Sequence, residues 1–262
     1  MQRLHAGGDD DLAGVESAGH GDLHLVVAQH VDIADRYRAV CRDAAAALER
    51  TAFTVEPGQS EIEISEILRH QLATCGLGSV VTLVAADERI SRFRHPVPTS
   101  KRWERSVLLV TCARRGGLIA SMSRVVNVGP VASELATKTE ATAFVNAGLQ
   151  HSTRVGTRGA ELYRVATEAY AERGFAGEID LHHQGGATGY RTRDWVAHPS
   201  SNEIVSADQA FAWNPSITGT KVEDTILVTR DGTEVLTRTD KFPVIMDTID
   251  GREYTSAGIL TI

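Results

Sequence analysis

Residues 211–229, FAWNPSITGTKVEDTILVT, constrain the fold more than any other stretch of the chain. Two β-type runs flank a turn, and Asn214, Glu223 and Asp224 stand among bulky apolar side chains. A carboxylate that enters an apolar interior is costly unless cations or hydrogen-bond donors hold it. The first question about the fold is therefore which cations or hydrogen-bond donors lie beside Glu223.

Before and after this stretch, the apolar residues alternate between helical and strand periods. Ser60 and Glu63 form a capping box at the start of a helix that ends before Gly76. Further helices are predicted over residues 26–50, 131–147 and 159–173. Strands are predicted over residues 80–86, 106–113, 118–126, 178–181 and 233–237, with hairpin turns at 114–117 and 231–232.

Helices joined by short loops and strands joined by hairpins predict an α+β domain. We expect the helices to lie on one face of a curved antiparallel sheet. The order of helix pair and strands occurs twice, which indicates a structural duplication without a visible sequence repeat. Residues 1–25, rich in Gly and Asp, are predicted to form a flexible or peripheral arm, and residues 26–262 a single domain.

Charge and cysteine content narrow the classes of partner. A net charge of −7 and a sequence pI near 5.8 argue against nucleic acid and anionic membranes as partners. No run of about eighteen apolar residues or signal-peptide pattern occurs. The three cysteines are widely spaced and odd in number, which is typical of free thiols in a reducing compartment. We therefore expect a cytoplasmic protein.

Four segments, in their order along the chain, resemble the pita-bread superfamily of creatinase, prolidase and methionine aminopeptidase. They are EPGQSEIEI, SMSR, FAWNPS and KVEDTILVTRDG, and the last is the most specific. The resemblance runs over residues 34–237. It implies a pita-bread (creatinase/aminopeptidase-like) fold, with two helix pairs covering a curved sheet around a pseudo-two-fold axis, and a homodimer.

The resemblance also shows which metal ligands are missing. Metallopeptidases of this fold bind two metal ions with two aspartates, two glutamates and a histidine. Their positions correspond here to residues 110–112, Ser121, Gly186, Asn214 and Glu223, so Glu223 alone is retained. One carboxylate cannot offset the dehydration of two divalent cations. We therefore expect no metal ligand set and no other cofactor.

A metal-free branch of the superfamily suggests a different chemistry. Creatinase cleaves a carbon–nitrogen bond in a small guanidino compound with a histidine as general acid and base. By the resemblance, His95 takes the position of that histidine, although a loop histidine without a function is the alternative. Arg193 matches another histidine of the peptidases and could bind a substrate carboxylate. A shift of one or two residues would assign this position to Arg191.

The remaining candidates are polar groups expected around the same pocket. Glu223 pairs either with an amide, guanidinium or ammonium group of the substrate or internally, for example with Arg124. Asn214 presents its amide to a substrate carbonyl or oxyanion, or it holds the Pro215 turn.

Two neighbouring histidines and two further side chains complete the predicted site. On a strand His182 and His183 face opposite sides, and we expect His183 to line the pocket. The histidine pair is not a metal motif by itself, because no third ligand follows at suitable spacing. Ser121 and Trp213 are expected to contact the substrate from the neighbouring strands.

These residues favour a metal-independent, creatinase-like enzyme. His95 acts as general acid and base on a small amide, guanidino or amino-acid-like substrate, in carbon–nitrogen hydrolysis or in elimination, isomerisation or cyclisation. One alternative is an inactive pita-bread module that binds a peptide or small ligand. Another is a metal retained through Glu223, His95 and His183.

Overall fold

The computed structural model describes residues 21–262, with side chains from residue 33 onward. The chain divides after Asp35 into two units, and the second, Arg36–Ile262, contains all strands of the described part. Residues 1–20, most of the predicted arm, lie outside the described residues, and residues 21–25 belong to the first helix. Among the described residues, no helix combines the length and apolar character needed to cross a membrane.

Five α-helices and one 3-10 helix, Ala176–Asp180, occur in the described part. The α-helices are α1 Gly21–Thr54, α2 Glu61–Thr74, α3 Glu88–Arg92, α4 Ser133–Ser152 and α5 Gly159–Glu172. The capping box predicted for α2 is confirmed: the Ser60 hydroxyl accepts from Glu63 N, and the Glu63 carboxylate accepts from Ser60 N. The short helix α3 lies between the predicted strands 80–86 and 106–113, in a segment for which we predicted no helix or strand.

Within residues 21–262 the strands form two four-stranded sheets and two separate two-stranded hairpins. They are β1 Gly78–Ala86, β2 Ser106–Arg115, β3 Leu118–Asn127, β4 Gly185–Thr188, β5 Ala210–Trp213, β6 Ser216–Ile217, β7 Thr220–Lys221, β8 Asp224–Thr229, β9 Gly232–Val235, β10 Val244–Ile249, β11 Arg252–Ala257 and β12 Ile259–Thr261. One sheet has the order β1-β2-β3-β12 and the other β4-β5-β8-β9. All pairs are antiparallel except β12 with β3.

The β2–β3 hairpin forms as the sequence predicts. Gly116 and Gly117 have φ of +57° and +88°. Glycine adopts this backbone without steric cost, and it suits a two-residue turn between antiparallel strands. The register places Val110 of β2 opposite Ser123 of β3. Directly opposed residues of antiparallel strands lie on the same face of the sheet, so these two side chains are neighbours.

The predicted strand over residues 178–181 is wrong, because Ala176–Asp180 forms a 3-10 helix. The segment lacks the alternation of a half-buried strand, and only Ile179 is buried. Its Glu178 carboxylate instead accepts from Thr218 N at 3.1 Å. The C-terminal strands β10, β11 and β12 lie beyond the segments in which we predicted structure.

The two halves of the fold repeat one plan and meet along β3 and β8. In the second half, α4 and α5 pack with Phe211, Trp213 and Ile226 of the sheet into one apolar core. The halves are joined where Ser123 N donates to Glu223 O at 3.1 Å. The α+β class and the repeated order of helix pair and strands are as predicted, and the junction is where the candidate site lies.

Candidate active site

A cavity of about 130 Å³ lies at the junction of the two halves. Apolar side chains of β1 and β2 form one wall, and polar residues from the second half form the rest. Its lining residues are Val81, Leu83, His95, Val110, Cys112, His183, Thr192, Arg193, Asn214, Lys221 and Glu223. We call this the site cavity.

Five of the seven predicted site residues line the site cavity. They are His95, His183, Arg193, Asn214 and Glu223, which come from five different connections between helices and strands. Arg191 is not among the lining residues, and its carbonyl oxygen accepts from the Thr188 hydroxyl at 3.0 Å.

Ser121 and Trp213 do not line the site cavity. The Ser121 hydroxyl lies behind Cys112 and donates to its Sγ at 3.3 Å. The Trp213 ring is fully buried against Phe211, and its Nε1 donates to Thr153 Oγ1 at 3.0 Å. Successive residues of a strand face opposite sides, so Trp213 enters the helix-covered core while Asn214 faces the cavity.

The partners of Glu223 are side chains of the protein itself. Its Oε1 lies 3.2 Å from Arg193 Nη2, and its Oε2 accepts from Ser123 Oγ at 2.6 Å and lies 3.3 Å from Lys221 Nζ. We call Ser123, Arg193, Lys221 and Glu223 the ion-pair cluster. Burial alone would raise the pKa of Glu223, but Lys221, Arg193 and Ser123 outweigh it and hold this pKa below its usual value. Glu223 therefore stays ionised and fixes two cations beside the cavity.

Arg124, the internal partner considered for Glu223, binds the next residue instead. Its Nη2 lies 2.9 Å from Asp224 Oδ1, and Thr237 Oγ1 donates to the same oxygen at 2.8 Å. Glu223 and Asp224 have different partners because successive side chains of an extended segment point to opposite faces. Asp224 thus forms its ion pair away from the site cavity, and Glu223 forms its ion pairs at the cavity wall.

Lys221 is the main residue that the sequence analysis missed. Its side chain is 5% exposed. In an extended K-V-E sequence, Lys221 and Glu223 are two residues apart and share one face, so the alternation rule could have found this lysine. Ser123 is a second omission, and it pairs with Glu223 only through the long-range contact of β3 with β8.

The loop that carries His95 is anchored by the preceding residue. Arg94 forms an ion pair with Glu178, and it also donates to Ser216 Oγ at 3.1 Å and Thr218 Oγ1 at 2.9 Å. Arg94 and Glu178 side chains are 19% and 15% exposed. A largely buried ion pair between a loop and the second half therefore sets the position of His95.

Three imidazoles meet at this side of the site cavity. His95 Nε2 lies 3.2 Å from His182 Nε2, and the His182 and His183 rings stack with centroids 4.4 Å apart. The expectation that His182 and His183 face opposite sides is wrong, because both follow the 3-10 helix and precede β4. We call His95, His182 and His183 the histidine cluster.

The environment keeps the histidine cluster neutral. Burial and the positive charge of Lys221 lower the pKa of His95 below its usual value. Burial, Arg193 and Lys221 lower the pKa of His183 to about 4, and burial with Lys221 lowers the pKa of His182 to about 2. A neutral imidazole can accept a proton, which is the form that a general base requires.

Stability should fall in acid because of His182. Below its unfolded pKa of 6.5 the unfolded chain takes up a proton on this ring, whereas the folded chain resists protonation down to about 2. The free energy of unfolding therefore decreases by about 1.4 kcal/mol for each unit by which the pH is lowered. We expect His182→Asn to flatten the acid slope of the unfolding free energy, measured by urea denaturation between roughly pH 5.5 and 4. The matched variant His70→Asn, on the exposed surface of α2, should keep the wild-type slope, and equal slopes in all three proteins would contradict this assignment.

A second, larger cavity of about 450 Å³ lies between the loop before β2 and the start of α4. Its lining includes Asp87, Lys101 and Lys138, but none of the predicted site residues. The acidic and basic groups there pair with one another, for example Lys138 with Glu134 at 2.6 Å. The larger volume therefore does not mark the functional site. Buried ionised groups from different segments meet in the site cavity, and they identify it as the candidate site.

Fold and cavity together define a class of protein. A repeated unit of paired helices and strands, with a polar cavity where the halves meet, is a pita-bread domain. The sequence model of Metallopeptidase family M24 matches residues 35–230, well over half of the chain. The chain belongs to that family.

Relatives support this assignment. The chain is 25% identical over 213 residues to the Xaa-Pro dipeptidase of Pyrococcus horikoshii, which covers 77% of this chain and 60% of that protein. It superposes on the X-Pro aminopeptidase from Thermotoga maritima MSB8 with a TM-score of 0.75 at 18% identity, over 88% of this chain and 63% of that one. The Xaa-Pro dipeptidase from Bacillus anthracis gives 0.75 at 21% identity, over 89% and 63%. The chain spans less than two thirds of the length of these relatives, and the structural likenesses concern the fold.

The residues of the site cavity do not fit the two-metal centre of this fold. Glu223 is its only lining carboxylate among the described residues, and both of its oxygens are bonded within the ion-pair cluster. Val110 and Cys112 lie where the resemblance places an aspartate, and Asn214 lies where it places a glutamate. Hard divalent cations need several free carboxylate oxygens. The lining residues are therefore a poor ligand set for two divalent cations.

The histidine cluster offers a different donor set. One ring nitrogen from each histidine lies within 4.8 Å of the others, and imidazoles suit Zn²⁺ and similar ions. However, Lys221 contributes to the lowered pKa of every ring in the cluster. The positive charge that disfavours an imidazolium also disfavours a divalent cation at the same place.

Proposed function

We propose that this protein is a metal-independent enzyme that hydrolyses a carbon–nitrogen bond in a small amide, guanidino or amino-acid-like compound. His95 is the general acid and base. The observation that carries the proposal is the ion-pair cluster, which holds two cations beside neutral histidines in the site cavity. In this arrangement, protein cations supply positive charge where the metallopeptidases of the fold use metal ions.

The reaction needs one water and one proton carrier. Neutral His95 takes a proton from water while the water oxygen attacks the carbon of the scissile bond. As the carbon–nitrogen bond breaks, the imidazolium returns the proton to the leaving nitrogen. The sum is the addition of one water molecule across the bond, and His95 ends in its starting form.

The other lining residues orient the substrate and stabilise charge. Arg193 and Lys221 face the cavity from one side, where positive charge stabilises negative charge that develops on the substrate. Glu223 does not touch the substrate in this account, because Ser123, Arg193 and Lys221 occupy its oxygens. Its role is to position the two cations.

A small, well-fixed cavity supports an enzyme over an open binding platform. The site cavity is smaller than the roughly 300–1,000 Å³ of pockets for drug-sized ligands, and the side chains of Arg193, Lys221 and Glu223 are at most 11% exposed. Preorganised groups of this kind contribute most when charge develops during a reaction. A domain that includes residues 26–262, a homodimer and a cytoplasmic location complete the proposal, and they rest on the sequence analysis.

The test is a nitrogen-release assay. The purified protein is incubated with a panel of small amides, guanidino acids and N-acyl amino acids, and released ammonia or amine is quantified. We expect release from at least one class, with uptake of ¹⁸O from labelled water into the product. Binding without release across the panel would favour the inactive module, and a product of unchanged mass would favour isomerisation.

A further inference from the structure

Lys221 does not correspond to any of the metal ligands of the fold, so its burial in the site cavity must have another physical reason. Its ammonium group lines the site cavity, 3.3 Å from Glu223 Oε2, and its side chain is 5% exposed. Placing a lysine here is costly unless the charge is used. Glu223 alone does not balance the site, because Arg193 also pairs with it.

The charge of the site cavity is the first argument. Two cations, Lys221 and Arg193, face one carboxylate, and the pKa values of His95 and His183 are held low, so the ionised lining carries a net charge of +1. Buried charge without a counter-charge is unfavourable, and a monoanion in the cavity would balance it. The Nε of Arg193 is buried and finds no hydrogen-bond acceptor among the described residues, and an anionic ligand would supply one.

A second, independent observation comes from Asn214. Its Oδ1 is buried and accepts no hydrogen bond from the part of the chain that the structure describes, and the residue is 3% exposed at the cavity wall. Buried polar atoms are nearly always paired, because an unpaired one has lost its hydrogen bonds to water without a replacement. A matching ligand would therefore present a hydrogen-bond donor to this oxygen, and an amide N–H is such a donor. Val81, Leu83 and Val110 form the apolar wall that remains.

We propose that the site cavity recognises a small N-acyl amino acid. Its carboxylate binds the Lys221 ammonium and the Arg193 guanidinium, and its amide N–H donates to Asn214 Oδ1. This assignment rests on the proposed function, in which the amide carbon–nitrogen bond is the one that is cleaved. Water then adds across that bond to give a carboxylic acid and an amino acid. An acyl-proline lacks the N–H, so this substrate class differs from the Xaa-Pro bond in the names of the relatives.

Three probes and three variants test the assignment. Dissociation constants are measured by calorimetry for N-acetyl-L-alanine, for its amide, which lacks the carboxylate, and for N-acetyl-L-proline, which lacks the N–H. We expect the acid to bind the wild-type protein at least about tenfold more tightly than the amide and about 2–10-fold more tightly than the proline compound. The measurements are repeated in His95→Asn, so that turnover does not consume the ligand.

Lys221→Met should remove most of the preference for the acid over the amide. Lys138→Met is the matched control, because Lys138 pairs with Glu134 outside the site cavity, and it should bind like the wild type. Should Lys221→Met fail to fold, the comparison of the three probes on the wild type still decides. Equal binding of acid and amide, or an unchanged preference in Lys221→Met, would overturn the inference.

The outcomes separate this inference from the proposed function. A clear preference for the acid without nitrogen release from any compound would remove the enzyme and leave the carboxylate site in place. Nitrogen release from neutral amides, with no preference for the acid, would keep the enzyme and remove the carboxylate site.

Discussion

Replacing His95 by asparagine should lower kcat/KM for the nitrogen-release reaction by about 10²- to 10⁴-fold. Asparagine keeps hydrogen bonding at this position but cannot carry a proton between water and the leaving nitrogen. Because the ion-pair cluster is untouched, binding of the substrate should change little. The loss should therefore appear mainly in kcat.

The pH profile separates a base from a merely structural residue. The lowered pKa of His95 places the acid limb of kcat/KM below pH 6.5 in the wild type. That limb should be absent from the residual activity of His95→Asn. His70→Asn, exposed on α2, should keep both rate and profile. Activity of His95→Asn within a few-fold of the wild type, in a folded protein, would remove His95 from the mechanism.

Replacing Glu223 by leucine should destabilise the fold by about 3–5 kcal/mol, because two buried cations lose their carboxylate. Lys221 Nζ and Arg193 Nη2 each lie within 3.3 Å of Glu223 in the wild type. The measurement is the free energy of unfolding from urea denaturation. The double variant Glu223→Leu with Lys221→Met should recover part of the loss, because one unpaired cation is gone and the two positions are coupled.

A surface pair provides the control for this prediction. Glu168 binds Arg164 on α5 at 2.7 Å, and both side chains are 62% exposed. Glu168→Leu should cost less than about 1 kcal/mol. A Glu223→Leu protein as stable as the wild type, or a double variant less stable than either single variant, would show that Glu223 does not hold the two cations.

Local rules predicted the element types and most of the site. Residues that are close together in sequence indicate three of these features: the capping box at Ser60, the glycine turn of β2–β3 and the buried carboxylate at Glu223. The same kind of signal was available for β10 and β11, which flank Asp250-Gly251 with φ of +48° and +73°, a backbone typical of a two-residue hairpin turn.

The misses have two physical origins. Trp213 directly precedes the cavity residue Asn214, but strand alternation turns neighbouring side chains to opposite faces, so Trp213 lies in the core. The histidine cluster and the Ser123–Glu223 contact depend on segments far apart in the chain, such as His95 and His182. No local pattern reports contacts of that range, and they became visible only with the tertiary structure.

The central claim is that side chains of this protein, and not metal ions, perform the chemistry. It is tested most directly by running the nitrogen-release assay and elemental analysis on the same chelator-treated sample. We expect full turnover at a metal content far below one ion per chain, with no gain on adding Zn²⁺, Mn²⁺ or Co²⁺. Turnover that is lost on chelation and restored in proportion to bound metal would contradict it.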